Sequence, residues 1–365
     1  MMPDLILVGG FLGAGKTTLV AEMVRRLSSR GQRVGVVTND QAADLVDTGY
    51  LDALHTQDTR IAEVAGGCFC CCFNDFLSRL TDLQHDTPAD ILIGEPVGSC
   101  TDLAATVVRP LQQLYADRFR TAPYSVLVDP LRWRQSHSLS QWPLPEQALY
   151  IYRLQIEEAD AIVLNKSDLL DEKERQHLIR ELAKTYPARP IFPISALTGE
   201  GVEPWLAHVL AYPEIAGKQR INVDYDRYAQ GEADLGWLNL TAILASIDPQ
   251  DWTDFCQRLL TTLRDTFHAR AIEIAHAKLI LTGGEQFLLG NLSSLSAAPT
   301  ICGMLHPLIG QAALTLNIRA AATPEDLQPL ALSILEQAAR PGLTLAVQHQ
   351  ACFRPGRPNP THHLA

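Results

Sequence analysis

Short apolar runs punctuate the first half of the chain, each giving way to polar or glycine-rich residues. Leu5 to Val8, the run that starts at Val34, Ile91 to Ile93 and Ala161 to Leu164 read as buried parallel strands. After the first of them Leu19, Met23 and Leu27 recur every four residues, which predicts a helix that Gly31 can stop. Past Tyr212 and Pro213 the rhythm changes. Residues 214–235 are polar and contain glycine, and read as a linker between a first unit, 1–213, and a second, 236–348. In the second unit Trp237 to Ile247 reads as a strand, and Trp252, Phe255, Leu259 and Leu263 mark one face of a helix. The stretch "AIEIAHAKLILTGG" alternates as a strand and turns at Gly283 and Gly284. "ALTLNIR" is a further strand, followed by a helix opened by Thr323, Pro324 and Glu325, and "LTLAV" is a last strand. The order β-α-β-β-α-β predicts a ferredoxin-like α+β domain with extra residues around 290–311. The tail, 349–365, carries His349, Cys352, His362 and His363; proline-rich and terminal, it is expected to be mobile.

The strongest chemical signal lies between the first strand and the first helix. "GFLGAGKT", Gly10 to Thr17, fits G-x-x-x-x-G-K-[ST] in its required strand–loop–helix setting. The glycines let backbone N–H groups turn inward around phosphate oxygens, and the helix N-terminus adds partial positive charge. The expected cradle is Gly10, Gly13, Ala14, Gly15, Lys16, Thr17 and Thr18, with Lys16 reaching the terminal phosphates and the Thr17 hydroxyl on magnesium. Downstream, Asn165, Lys166 and Asp168 form N-K-x-D at the end of a buried strand. A carboxylate at Asp168 can accept two N–H donors from guanine, whereas adenine would set an acceptor against it. Lys166 would pack its stem over the base and Asn165 would tie the loop together. Ser195 and Ala196 resemble the S-A turn whose backbone N–H meets the guanine O6.

Two further segments bear on the phosphates. Glu95 ends the Ile91 strand, with Gly98 three residues on. The carboxylate can hold a magnesium-bound or attacking water, and the glycine lets a backbone N–H approach the γ-phosphate. After the Val34 strand, Asp40, Asp44 and Asp47 are placed to contact magnesium or a second metal, with Asp40 the first choice; each alone reads equally well as a solvated loop acid.

Four of the eight cysteines fall between Cys68 and Cys72. Thiols at i, i+2 and i+3 can converge on one ion if the segment turns, and thiolates suit zinc, copper(I) or cobalt, with nickel also open. Consecutive residues in a strand cannot all point one way, so Cys68, Cys70 and Cys71 are the expected ligands and Cys72 is left undecided. A reversible disulfide within the cluster is the competing reading. Cys100, Cys256, Cys302 and Cys352 are scattered, and each reads as a small buried hydrophobe.

Taken in order, the phosphate loop, Cys68-Phe69-Cys70-Cys71, E-x-x-G and N-K-x-D resemble the CobW-type P-loop GTPases, kin to the HypB and UreG nickel chaperones. The resemblance covers residues 4–210 and takes in "QIEEADAIVLNKSDL". It departs at Gly66, where the family commonly has Asn, at the extra Cys72, and in the first switch, where Asn39-Asp40-Gln41-Ala42-Ala43 lacks the second Glu of N-E-x-G-E. The resemblance implies a doubly wound, mostly parallel sheet, and a GTPase with Lys16 and Glu95 as its catalytic residues. It also implies a transition-metal cargo, zinc first and cobalt or nickel next, delivered to a client metalloprotein, with GTP-linked homodimerisation. A GTP-timed metal or thiol-redox sensor, and a GTPase that handles a corrinoid cofactor, are the alternatives. No arginine finger is evident, so slow turnover is expected.

Composition narrows the setting. The chain has 365 residues, 47 % hydrophobic and 19 % charged, with a formal net charge of −11. That balance speaks against general affinity for nucleic acid or anionic membrane. "MMPDLILVGG" has no basic leader and the chain has no apolar span of ~20 residues. A cytoplasmic protein with reduced thiols is expected.

Overall fold

The computed structural model describes residues 2–39, 46–53, 59–85, 88–213, 216–307, 310–339 and 342–364. Asp40 and Asp44, expected near magnesium, lie outside them.

The first half is built on β1 (Asp4–Gly10), β2 (Val34–Asn39), β3 (Thr59–Val64), β4 (Ile91–Glu95), β5 (Arg120–Thr121), β6 (Ser125–Val128), β7 (Ala161–Leu164) and β8 (Ile191–Pro193). They pair in parallel in the order β3-β2-β4-β1-β6-β7-β8, with the two-residue β5 beside β1. Chain order reverses about β1, so the carboxyl ends of β1 and its neighbours open a crevice, the usual ligand position in a doubly wound sheet. Register brings the key ends level: Thr38 of β2 lies opposite Glu95 of β4, and Gly10 opposite Leu127 of β6. Helices α1 (Lys16–Ser29), α2 (Val46–Ala53), α3 (Phe73–Asp82), α4 (Arg109–Leu114), α5 (Pro130–Gln135), α6 (Glu146–Glu157), α7 (Glu172–Thr185) and α8 (Val202–Ala211) connect the strands. Strand side chains are buried on both faces, Leu5 and Leu7 in one core layer and Ile6 and Val8 in the other. That explains why each strand reads as a continuous apolar run.

The expected linker is not a simple one. It contains α9 (Tyr225–Ala233), which packs on α6 with Tyr228 and Glu232 buried. A Cβ at Gly231 would stand 2.6 Å from the Gln147 carbonyl oxygen, so the glycine that suggested a flexible segment instead permits close helix approach. Few apolar residues recur at helical spacing here, and the periodicity gave no warning.

The second half comprises β9 (Gly236–Ala245), α10 (Trp252–Ala269), β10 (Ile274–Gly283), β11 (Gln286–Leu292), β12 (Thr300–Met304), β13 (Gln311–Ala320), α11 (Pro324–Ala339) and β14 (Thr344–Phe353). Its sheet is antiparallel in the order β12-β11-β10-β13-β9-β14. Without the β11–β12 hairpin this is the ferredoxin-like β-α-β-β-α-β arrangement. The hairpin accounts for most of the extra residues around 290–311. Leu238, Leu240, Ala242 and Leu244 of β9 face α10 and α11. The alternate residues face the first half: Trp237 and Ala275 belong to its core.

The last strand runs through residue 353, past the boundary expected at 348, and the tail beyond it is packed rather than loose. The Thr361 N–H donates to the Cys70 carbonyl at 2.8 Å, the Leu364 N–H donates to the Ala105 carbonyl at 2.9 Å, and the His362 ring meets Phe73 edge-on at 4.7 Å. No helix among the described residues is long and apolar enough to cross a membrane.

Candidate functional site

A cavity of about 530 Å³ opens at the carboxyl edge of the parallel sheet, within the size range of small-molecule sites. Gly10, Gly13 and Gly15 carry positive φ in the turn out of β1, and Lys16 opens α1. Lys16, Thr17 and Thr18 line the cavity with Gly13 and Gly15; Ala14 is buried beside them. The Lys16 ammonium donates to the Gly10 carbonyl at 3.0 Å. Gly98 sits against it: a Cβ there would come within 3.0 Å of Nζ.

Three oxygen-bearing side chains meet at the start of α1. The Thr17 hydroxyl lies 2.8 Å from Glu95 Oε1 and 2.8 Å from Asp47 Oδ1. The other Glu95 oxygen is buried and has no hydrogen-bond partner among the described residues. Lys278, reaching over from β10, donates to Thr17 at 3.0 Å and pairs with Asp47. Burial, reinforced by the Asp47 charge, pushes Glu95 up to about 7. Burial would also raise Asp47, but the Lys278 ammonium outweighs it and holds that carboxyl low. Hard oxygens, an unpartnered carboxylate oxygen and an ammonium standing at the hydroxyl make a set that suits magnesium.

The base side is assembled by Asn165. Its amide N–H donates to the Ala14 carbonyl at 2.8 Å, and its carbonyl oxygen accepts from the Ala196 N–H at 2.9 Å. One side chain thus ties the phosphate loop, the N-K-x-D loop and the S-A turn. Lys166, at a φ of 58°, pairs with Asp129 at 2.6 Å, and Asp168 stands exposed on the cavity wall. The S-A turn differs from expectation in one respect. The Ser195 N–H donates to Glu200 and the Ala196 N–H to Asn165, so both donors are engaged inside the loops.

Sequence reading missed the roof. The face of the second sheet that carries no helices lies over the cavity, contributing His276, Lys278, Asn291 and Ser293. Arg132 of α5 fastens it, donating to the carbonyls of Ile274 at 3.0 Å and Ser293 at 2.9 Å. His276 is one of these roof residues. It lines the cavity, where burial, with Lys278 and Lys16 nearby, holds its pKa well below the ordinary value. Its alternation with Lys278 along β10 was visible; which face would meet a nucleotide site was not.

The cysteine segment turns, as convergence requires. The N–H groups of Cys71 and Cys72 donate to the Cys68 carbonyl, and α3 begins after Cys72. The sulfurs of Cys68, Cys70 and Cys71 lie within 4.8 Å of one another, at 2.8 Å (68–70), 3.2 Å (68–71) and 3.8 Å (70–71). All are free thiols. In a zinc tetrahedron with bonds of ~2.3 Å the sulfurs stand ~3.8 Å apart, so the trio admits an ion by spreading by up to about 1 Å. Hydrogen bonds from Cys100, Cys70 and Cys71 hold Cys68 well below the usual thiol range. Cys72 lies outside the trio.

Asn39, at the end of β2, joins the cluster to the cavity it lines. Its amide donates to the carbonyls of Val64 at 3.0 Å and Gly67 at 2.7 Å, and its oxygen accepts from the Phe69 N–H at 2.9 Å. The scattered cysteines divide. Cys100 and Cys256 are buried, Cys352 is half-buried, and Cys302 is exposed on β12, against expectation.

Residues 4–193, more than half of the chain, match the CobW/HypB/UreG nucleotide-binding domain. The chain belongs to this family. It is a CobW-type P-loop GTPase in family and fold. Among named relatives, a zinc chaperone CobW from Sinorhizobium sp. is 25% identical over 63% of this chain and 72% of its own length. The zinc chaperone YjiA of Escherichia coli is 26% identical over 52% of this chain and 56% of its own. The structure of a zinc-bound YjiA GTPase from E. coli aligns over 92% of this chain and 99% of that one at 17% identity, with a TM-score of 0.36, too low to support anything further.

Proposed function

We propose that this GTPase carries a transition metal, zinc in the first instance, on Cys68, Cys70 and Cys71 and releases it to a client protein. The observation that carries the reading is the convergence of those three sulfurs on a loop fastened by Asn39 to the nucleotide cavity. The names of the relatives point the same way: two are zinc chaperones.

GTP and water give GDP and phosphate. Lys16 neutralises the terminal phosphates, and the backbone N–H of Gly98 faces the γ-phosphate. Asp168 selects guanine through its two N–H donors. Thr17, Asp47 and Glu95 would hold magnesium, which would supply positive charge for the phosphate oxygens. Glu95 orients the attacking water. Turnover is slow until metal or client stimulates it.

Metal and nucleotide are linked. Ordering β2 and the segment after β4 around GTP draws the thiolates together; GDP relaxes them. The coupling is reciprocal and of the usual size, ~1–3 kcal/mol, which is about a 5- to 150-fold change in affinity. Zinc affinity measured with GDP and with a non-hydrolysable GTP analogue tests this, with Cys70→Ala as the control for the site. Tighter binding with the analogue is expected. Equal affinities would eliminate the switch, and unchanged zinc content in Cys70→Ala would eliminate the carrier.

A further inference from the structure

The phosphate end of the cavity holds a cation that the phosphate loop does not supply. Lys278 lies on β10 in register with Asn291 of β11 and Asn317 of β13, and all three line the cavity. Its ammonium donates to the Thr17 hydroxyl at 3.0 Å and pairs with Asp47. Thr17 follows Lys16, the residue aimed at the terminal phosphates, so two ammonium groups serve one end of the cavity. The strand that carries Lys278 is fixed. The second sheet rests on the phosphate loop itself, because a Cβ on Gly13 would stand 3.2 Å from Ser293 Cβ. Arg132 pins the carbonyls of Ile274 and Ser293. Helix α2, which carries Asp47, is docked on the same sheet: the Val46 N–H donates to Asn317 Oδ1 at 3.1 Å, and Val46 packs with Ile280 and Leu289. A flexible four-carbon stem on a fixed strand lets the ammonium swing while its origin stays put.

We propose that Lys278 is a catalytic cation supplied in cis by the second half, acting on the terminal phosphate of bound GTP. The inference rests on the GTP-hydrolysis reading and adds a residue to it. In this arrangement the ammonium rests on Thr17 and Asp47, two of the expected magnesium ligands. Once those oxygens are otherwise engaged, with a triphosphate beside Lys16, the ammonium loses its partners and turns to the phosphate oxygens. In the reaction the water oxygen bonds to the γ-phosphorus as the bond to the β–γ bridging oxygen breaks, and that electron pair leaves with GDP. One water proton stays on the phosphate product and the other passes to solvent. Lys278 gives and takes no proton. It neutralises charge that builds on the bridging and γ-oxygens, the task an arginine finger performs in other P-loop enzymes. A purely structural lysine would matter equally with GDP and in the transition state; a catalytic one matters in the transition state alone.

The test compares the full chain with Lys278→Met and Lys278→Arg in the presence of magnesium. Lys278→Met is expected to slow single-turnover GTP hydrolysis by about 100-fold. Its affinity for GDP should hold, whereas its affinity for GDP with aluminium fluoride, which mimics the phosphoryl group in transfer, should fall by a similar factor. Lys278→Arg keeps the charge and should recover part of both. Undiminished hydrolysis or fluoride-complex affinity in Lys278→Met would overturn the catalytic role and leave the GTPase standing. Equal losses of GDP affinity with and without fluoride, the mark of a structural lysine, would overturn it too. A wild-type chain that neither binds nor hydrolyses GTP would overturn the hydrolysis reading as well. If Lys278→Met does not fold, acetylation of wild-type Lys278, read by peptide mass, decides. Aluminium fluoride should protect the amine beyond what GDP alone does, and equal rates would overturn the proposal.

Discussion

Glu158 is a single acid whose position decides how the segment beyond Cys100 is held. It caps α6, is fully buried, and accepts from Thr101 and Ala104. Burial pushes its pKa from 4.5 up to about 8. A carboxyl raised in the folded state stabilises fully below its unfolded pKa, and that contribution is lost as pH rises through the folded one. Between pH 4.5 and about 8 the nucleotide-free protein should therefore lose stability, by on the order of 3 kcal/mol at pH 7 from this group alone. Glu158→Gln, which cannot ionise, is expected to flatten the fall. Thermal midpoints of the two proteins at pH 5, 6.5 and 8 check this; parallel curves would show that Glu158 is not the titrating group. Glu95, raised to about 7, adds a fall of the same sign that magnesium and nucleotide should reverse.

Among the elements, the tail departs furthest from its sequence. Proline and terminal position suggested mobility, and no apolar periodicity argued otherwise. Much of its order comes from backbone donors: Asn359, Thr361 and Leu364 each place an N–H on the cysteine loop or on the helical turn at Ala105. The Arg109 guanidinium returns a hydrogen bond to the Leu364 carbonyl at 2.9 Å. Such contacts carry no side-chain signature. Removal of residues 354–365 should expose the half-buried Cys71 and speed its alkylation by about tenfold, ~1.4 kcal/mol of lost protection. Peptide-resolved alkylation rates at fixed pH would show it, with Cys256 in the core of the second half as the unchanged reference. An unaltered rate at Cys71 would mean that the strap gives no cover.

For the whole molecule, the consequential contact is the seating of one sheet over the crevice of the other. Arg132 is buried there and satisfies two carbonyls of the second half. Arg132→Ala strands both, at about 2–4 kcal/mol. Calorimetry should show a single transition giving way to two as the halves uncouple, with faster hydrogen exchange along β10. A variant that still melts in one unshifted step would show that the seating does not depend on this residue.

The phosphate loop, N-K-x-D, the cysteine turn and the strands carrying them were legible because each is local. A run of apolar residues, a glycine at a turn or a thiol at i+2 constrains its own neighbourhood whatever surrounds it. The β-α-β-β-α-β order of the second half was legible for the same reason. What stayed hidden joins residues far apart in the chain: Lys278 at Thr17, Asn39 on the Phe69 loop, Gly231 against Gln147, Asn359 on Cys71. Lys278 is the clearest case. Within the alternating strand it looks like any polar residue of a half-buried sheet. Only the packing of the second sheet over the crevice sets its ammonium beside Thr17 and Asp47, because distance in space, which hydrogen bonds and ion pairs obey, is fixed by packing and not by spacing along the chain.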